Sequence, residues 1–70
     1  MGNNIFGQRI RELRIDKGLS QVELAAELGF RKQKISDWEN GKLEANFDML
    51  VKIADYFGVS IDYLLGREDY

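Results

Sequence analysis

Five of the seven glycines, Gly18, Gly29, Gly41, Gly58 and Gly66, each stand directly behind a stretch of helical periodicity. Helices commonly end on a residue in the left-handed conformation, and glycine adopts it without steric cost. The spacing therefore predicts five short helices: about Asn4 to Lys17, the stretch SQVELAAELG from Ser20, about Arg31 to Asn40, about Phe47 to Phe57, and Ile61 to Leu65. In the first, Phe6, Ile10 and Leu13 recur at i, i+4 and i+7. Gly7 lies inside that helix at a cost of about 1 kcal/mol relative to alanine, which predicts a close backbone contact there. In the second, Ser20 and Glu23 have the spacing of a capping box, and Leu24, Ala25 and Leu28 mark the buried face. Ile35 and Trp38 face inward from the third. The fourth carries a core stripe of Leu50, Ile53, Ala54 and Phe57 behind Asn46 as N-cap, and the fifth offers Ile61, Leu64 and Leu65 behind Ser60. No useful period-2 alternation occurs, so the expected fold class is all-α, a compact five-helix bundle.

Seventy residues suffice for one domain, expected to span 1–70 with a short tail at 67–70. At this size only about 60% of the unfolded surface is buried, so stability must come from one core and good local structure. The apolar share of 44% and charged share of 31% are those of a globular protein. No apolar run approaches the roughly 20 residues that span a bilayer. The stretch MGNNIF has neither the basic start nor the apolar centre of a signal peptide, and Phe6 breaks the myristoylation pattern. Cysteine and histidine are both absent, which removes disulfides, zinc fingers, thiol nucleophiles and imidazole chemistry together. A cytoplasmic location is expected, with no membrane partner, no cofactor and no small-molecule site. The net charge of −2 hides an asymmetry: residues 1–43 carry eight Lys/Arg against six Asp/Glu, and residues 44–70 two against six. That division predicts an oriented electrostatic surface.

The second and third predicted helices are joined by about three residues around Gly29. So short a connection fits a helix-turn-helix at about 20–40, whose second helix is presented to DNA. The third helix also carries its charge at the unfavourable end. Arg31, Lys32 and Lys34 crowd the first turn, where the helix dipole favours acidic residues. With Ile35 set at about 0°, a 100° step puts Trp38 near 300°, Lys32 near 60°, Ser36 near 100°, Asn40 near 140°, Gln33 near 160° and Asp37 near 200°. The outward surface is thus Lys32, Gln33, Ser36, Asp37 and Asn40, with Arg31 at the tip. Glutamine can pair with adenine, Arg or Lys with guanine, and Asp with the cytosine amine. A polar outward face is also what any solvated helix shows; the misplaced cations are what favour nucleic acid. Asp37 and Glu39, two apart, lie on different faces and make a poor acid–base pair. With no Walker loop, dinucleotide fingerprint or metal-ligand spacing present, no enzyme is expected.

The segments LRIDKGLSQVELAAELG, IS-W-ENGK and LVKIADYFGVSIDYLLG resemble the Cro and lambda-repressor family of helix-turn-helix proteins, often called the XRE family. The resemblance runs from about Gly7 to Gly66. It implies a five-helix, lambda-repressor-like DNA-binding domain acting as a dimer on a palindromic operator, in bacterial and phage regulators. It further implies that Gln21 contacts a phosphate and braces the recognition helix. By the same resemblance Lys32, Gln33 and Asp37 fall on base-reading positions with Ser36 beside them. Asn40 and Lys42 match the turn that grips the backbone, and Arg14 and Glu39 match an ion pair between helices one and three. Three departures stand out. Arg31 replaces the usual Ser or Thr cap, Ala45 stands where the family often has proline, and Glu44 with Asp48 makes the following loop acidic.

The expected function is sequence-specific binding of a double-stranded DNA operator by a transcriptional regulator, a repressor acting through the helix at about 31–40. The expected DNA-binding residues are Gln21, Arg31, Lys32, Gln33, Ser36, Asp37, Asn40 and Lys42. A homodimer is expected, formed in solution or only on DNA, with Tyr63 and Tyr70 and either Phe47 or Tyr56 as its seam. The competing reading is a helical protein–protein module such as an antitoxin, whose acidic C-terminal half and tail GREDY bind a basic partner.

Overall fold

Four of the five helices begin where a short polar side chain replaces a missing backbone partner. A computed structural model describes residues 4–43 and 45–67. In it α1 is Ile5–Asp16, α2 Gln21–Leu28, α3 Lys32–Glu39, α4 Phe47–Phe57 and α5 Ile61–Leu64. The side chains of Asn4, Ser20, Asn46 and Ser60 accept from the backbone N–H of Gly7, Glu23, Met49 and Tyr63. At α2 the capping box is complete, since Glu23 Oε1 also accepts from Ser20 N–H at 2.8 Å. Arg31 precedes α3 and makes no side-chain cap bond.

The helix ends are as regular as their starts. Gly29 holds φ 78° and ψ 28°, which lets the chain reverse between α2 and α3. Its N–H reaches Ala26 O at 3.3 Å, and Phe30 N–H reaches Ala25 O at 2.8 Å. This pair of bonds satisfies carbonyls that the last turn would leave open. The same pairing closes α1, α3, α4 and α5.

The core is Ile10, Leu24, Ala25, Leu28, Ile35, Trp38, Ile53, Ala54 and Leu64, drawn from all five helices. α3 packs against both α1 and α2, and α5 closes across α1 and α4. The Cα radius of gyration, 10.9 Å, matches the roughly 11 Å of a compact chain of this length. No strand occurs among the described residues.

Two expectations need adjusting. Leu65 is 46% exposed rather than inward. α5 ends at Leu64, and one residue further turns the side chain about 100° away from the buried Leu64. Leu50 and Phe57 are half-buried at the edge of the core, whereas Ile53 and Ala54 are buried. Ala45, in place of the family's proline, packs partly buried against the core. Glu44, Tyr70 and the acidic residues of the tail lie outside the described residues.

Gly7 is buried where α1 meets α3. A β-carbon there would overlap the Trp38 carbonyl oxygen and the Asn4 side chain. Asn4 can swing aside; a backbone carbonyl cannot move without parting the helices. Gly7→Ala is therefore expected to cost about 1–3 kcal/mol by overpacking, despite an intrinsic helix preference for alanine of about 1 kcal/mol. A urea titration checks this, and a higher midpoint for Gly7→Ala would show that the contact does not constrain the packing.

Candidate nucleic-acid interface

Glu39, the last residue of α3, ties that helix to the two before it. Arg14 Nε donates to its Oε2 at 2.7 Å and Arg14 Nη2 to its Oε1 at 3.1 Å, a two-point grip of guanidinium on carboxylate. Arg14 Nη1 also donates to Leu19 O at 2.8 Å, fixing the turn between α1 and α2. Gln21, the first residue of α2, donates from Nε2 to Glu39 Oε1 at 3.1 Å. The Glu39 backbone carbonyl accepts from Asn4 Nδ2 at 2.9 Å. The Arg14 and Glu39 side chains are only 13% and 4% exposed, so the pair is shielded from water and salt. α3 is thus held at its C-terminal end by α1, by the α1–α2 turn and by α2.

That anchoring, with Ile35 and Trp38 fully buried, turns the opposite side of α3 outward. Arg31, Lys32, Gln33 and Asn40 are exposed, as is Lys42 just beyond, while Ser36 and Asp37 are half-buried. The face is internally paired one turn apart. Gln33 Nε2 donates to Asp37 Oδ1 at 2.9 Å, and Asn40 Nδ2 to Ser36 Oγ at 3.3 Å. Lys42 N–H bonds Asp37 O at 2.8 Å, which fixes where the turn leaves the helix. The expected α3 residues therefore share one surface with Lys42 at its far end. Gln21 joins them through Glu39 and is half-buried.

The first-turn cations divide by role. Lys34 is half-buried, its ammonium 5.8 Å from the centre of the Phe30 ring, and Lys52 of α4 lies 5.2 Å from the same ring. A cation over an aromatic face offsets part of the unfavourable dipole interaction. Arg31 and Lys32 remain exposed at a helix start that no side chain caps. A helix start without a side-chain cap beside two exposed cations is attractive to phosphate.

Spacing alone did not reveal two contacts. The spacing places Asn4 in the first helix, whereas it caps α1 and holds the end of α3 as well; asparagine three residues before a helical Gly7 is the local signal for such a cap. Lys34 on Phe30 had no local signature of that kind. Away from α3, the Tyr56 hydroxyl donates to Glu27 at 3.4 Å, linking α4 to α2. Partial desolvation, then the Glu27 carboxylate, raises the phenol above its ordinary 10.0.

Exposed apolar side chains lie on several elements: Ile15, Val22, Leu43, Phe47 and Leu65. Phe47 is 72% exposed. A groove of about 250 Å³ is lined by Phe6, Ala45, Leu50 and Leu65. Tyr63 lies beneath the Arg9 guanidinium at 4.3 Å, and Tyr56 packs edge-on against Phe57 with centroids 5.0 Å apart. Among the described residues, no helix is long and apolar enough to cross a membrane.

A helix-turn-helix family model matches residues 10–64. The chain is 39% identical over 64 residues to the HTH-type transcriptional activator BcrR of Enterococcus faecalis, covering 91% of this chain and 31% of that protein. It is 39% identical over 61 residues to an uncharacterized SPbeta prophage-derived HTH-type transcriptional regulator, YonR, of Bacillus subtilis, covering 87% of this chain and 56% of that one. Over 69 residues it is 39% identical to the control protein C.BamHI of Bacillus amyloliquefaciens, covering 93% of this chain and 85% of that protein. The chain therefore spans about a third of the first of these relatives, just over half of the second and most of the third.

Proposed function

The chain belongs to the XRE-type helix-turn-helix family of DNA-binding transcriptional regulators, which are not enzymes, and from that premise we propose that it binds a specific palindromic operator as a homodimer and acts as a repressor. The observation that carries the reading is the outward polar face of α3, held from behind by the Glu39 network. A helix that reads bases needs a fixed register, because a bidentate base contact tolerates little displacement.

In this reading Lys32, Gln33 and Asp37 meet base edges, with Ser36 beside them. Gln21, Arg31, Asn40 and Lys42 meet phosphates and set orientation. Repression follows from occupancy: two copies of α3 in successive major grooves, about 34 Å apart, exclude the transcription machinery from a promoter. The exposed side chains of Phe47 and Leu65 favour a seam built on them rather than on Tyr63 and Tyr56, which are half-buried and engaged with Arg9 and Phe57. The domain spans 1–70, and a bacterial or phage genome and a cytoplasmic location complete the proposal.

Selection of bound duplexes from a random pool tests binding, base preference and half-site spacing together. With the recovered operator, Gln33→Ala is expected to cost about 1–3 kcal/mol by fluorescence anisotropy and to blur specificity at one base pair. Equal losses on operator and on random DNA would show that Gln33 reads no base. Recovery of a single, unrepeated half-site would count against the dimer.

A further inference from the structure

The Gln33 amide is not free to choose which of its ends meets a base. A glutamine side chain carries an acceptor oxygen and a two-donor nitrogen, and a rotation of its last torsion exchanges them. The 2.9 Å bond from Gln33 Nε2 to Asp37 Oδ1 opposes that exchange. It directs the nitrogen toward the next turn of α3 and uses one of its two N–H groups. What remains for the groove is one donor and one acceptor side by side. Adenine presents the complement, N7 as acceptor and the N6 amine as donor. Guanine presents two acceptors, N7 and O6, so its O6 would face the Gln33 oxygen with the Asp37 carboxylate behind it.

We propose that Asp37 is a positioning residue that acts through Gln33, setting its amide for adenine and against guanine at one base pair of each half-site. The proposal rests on α3 being the base-reading helix. It gives the Asp37 carboxylate, an acceptor-only group, a role through Gln33 in place of the direct base contact assigned to it above. Asp37 is half-buried on α3 and contributes no side chain to the core, so replacing it leaves the packing intact. Its backbone carbonyl bond to Lys42 N–H survives any substitution.

The test is selection from a random pool by the whole chain and by Gln33→Ala, Asp37→Ala and Asp37→Asn, with circular dichroism confirming that all four are folded. The unaltered chain is expected to recover adenine at one position per half-site, and Gln33→Ala to lose that preference. Asp37→Ala is expected to admit guanine there, with discrimination falling about tenfold. Asp37→Asn can turn its own amide and donate to the Gln33 oxygen, so it no longer fixes which end of Gln33 faces the groove and is expected to admit guanine as Asp37→Ala does. Full adenine preference in Asp37→Ala or in Asp37→Asn overturns the proposal. If the unaltered chain shows no Gln33-dependent position at all, the reading of α3 itself falls, and that outcome is distinct from the other two.

Discussion

Replacing Glu39 with alanine is expected to remove about 3–5 kcal/mol of folding stability, because it strands the buried Arg14 charge. Arg14 would keep its bond to Leu19 O, and its side chain is already 13% exposed, which places the loss toward the lower end. A chain of this length has about 4–10 kcal/mol in total, at roughly 0.05–0.15 kcal/mol per residue. The variant would therefore lose roughly a third or more of its total stability. Trp38 is the one tryptophan and is fully buried, so its fluorescence in a urea titration reports the transition directly.

The double variant Arg14→Met, Glu39→Leu separates stability from positioning. Apolar side chains of similar volume often replace a buried ion pair without loss, so stability is expected to return close to that of the unaltered chain. Operator affinity is not expected to return with it, since Gln21 then has no Glu39 carboxylate to hold. If operator binding recovers together with stability, the network stabilises the fold and does not orient α3.

Trp38→Ala is expected to cost about 3–5 kcal/mol, as large aromatic truncations in cores do. The indole meets Phe6 and Phe30 edge-to-face, with centroids 5.9 and 5.4 Å apart and interplanar angles of 72° and 89°. Its removal opens a cavity between α1 and α3 at the point where Gly7 already brings the two backbones together. Trp38→Phe is expected to lose less than half as much. The Trp38 Nε1 donor is buried without a hydrogen-bond partner among the described residues. An unsatisfied buried donor costs about 1–3 kcal/mol, and phenylalanine removes it while keeping most of the ring. Thermal unfolding followed by far-ultraviolet circular dichroism gives both values. Equal losses for the two variants would show that indole shape matters more than the stranded donor.

The helices were legible because their signals are local. Ser20 and Glu23 lie three residues apart and form the capping box that their spacing implies. Gly29 ends α2 because a left-handed residue is needed one position past the last turn. The 100° projection separated buried Ile35 and Trp38 from exposed Lys32, Gln33 and Asn40, because a helix carries its period in its own sequence. The sequence misjudged Leu65, whose burial depends on where a one-turn helix stops.

The candidate site was legible as a set of residues, and its internal arrangement was not. Lys34 looked like part of a phosphate-seeking cluster until the fold placed it against Phe30 beside Lys52, a residue 18 positions further along the chain. The bond from Gln33 to Asp37 spans one turn, and spacing permits it; only the folded structure shows which end of the amide is engaged. The Arg14–Glu39 pairing came from family resemblance rather than from spacing, since nothing local links residues 25 apart.

The sequence by itself determined five helices, four of them with side-chain caps, their order, their apolar faces and the polar strip on α3, all written at separations of three to seven residues. The tertiary structure decided that Glu39 gathers Arg14 and Gln21 by side chain and Asn4 by its carbonyl, so that α3 cannot turn on its own axis. The physical reason is that a helix fixes only the relative directions of its own side chains. The direction in which its whole face points is set by contacts with α1 and α2, which form only once the chain has closed on itself.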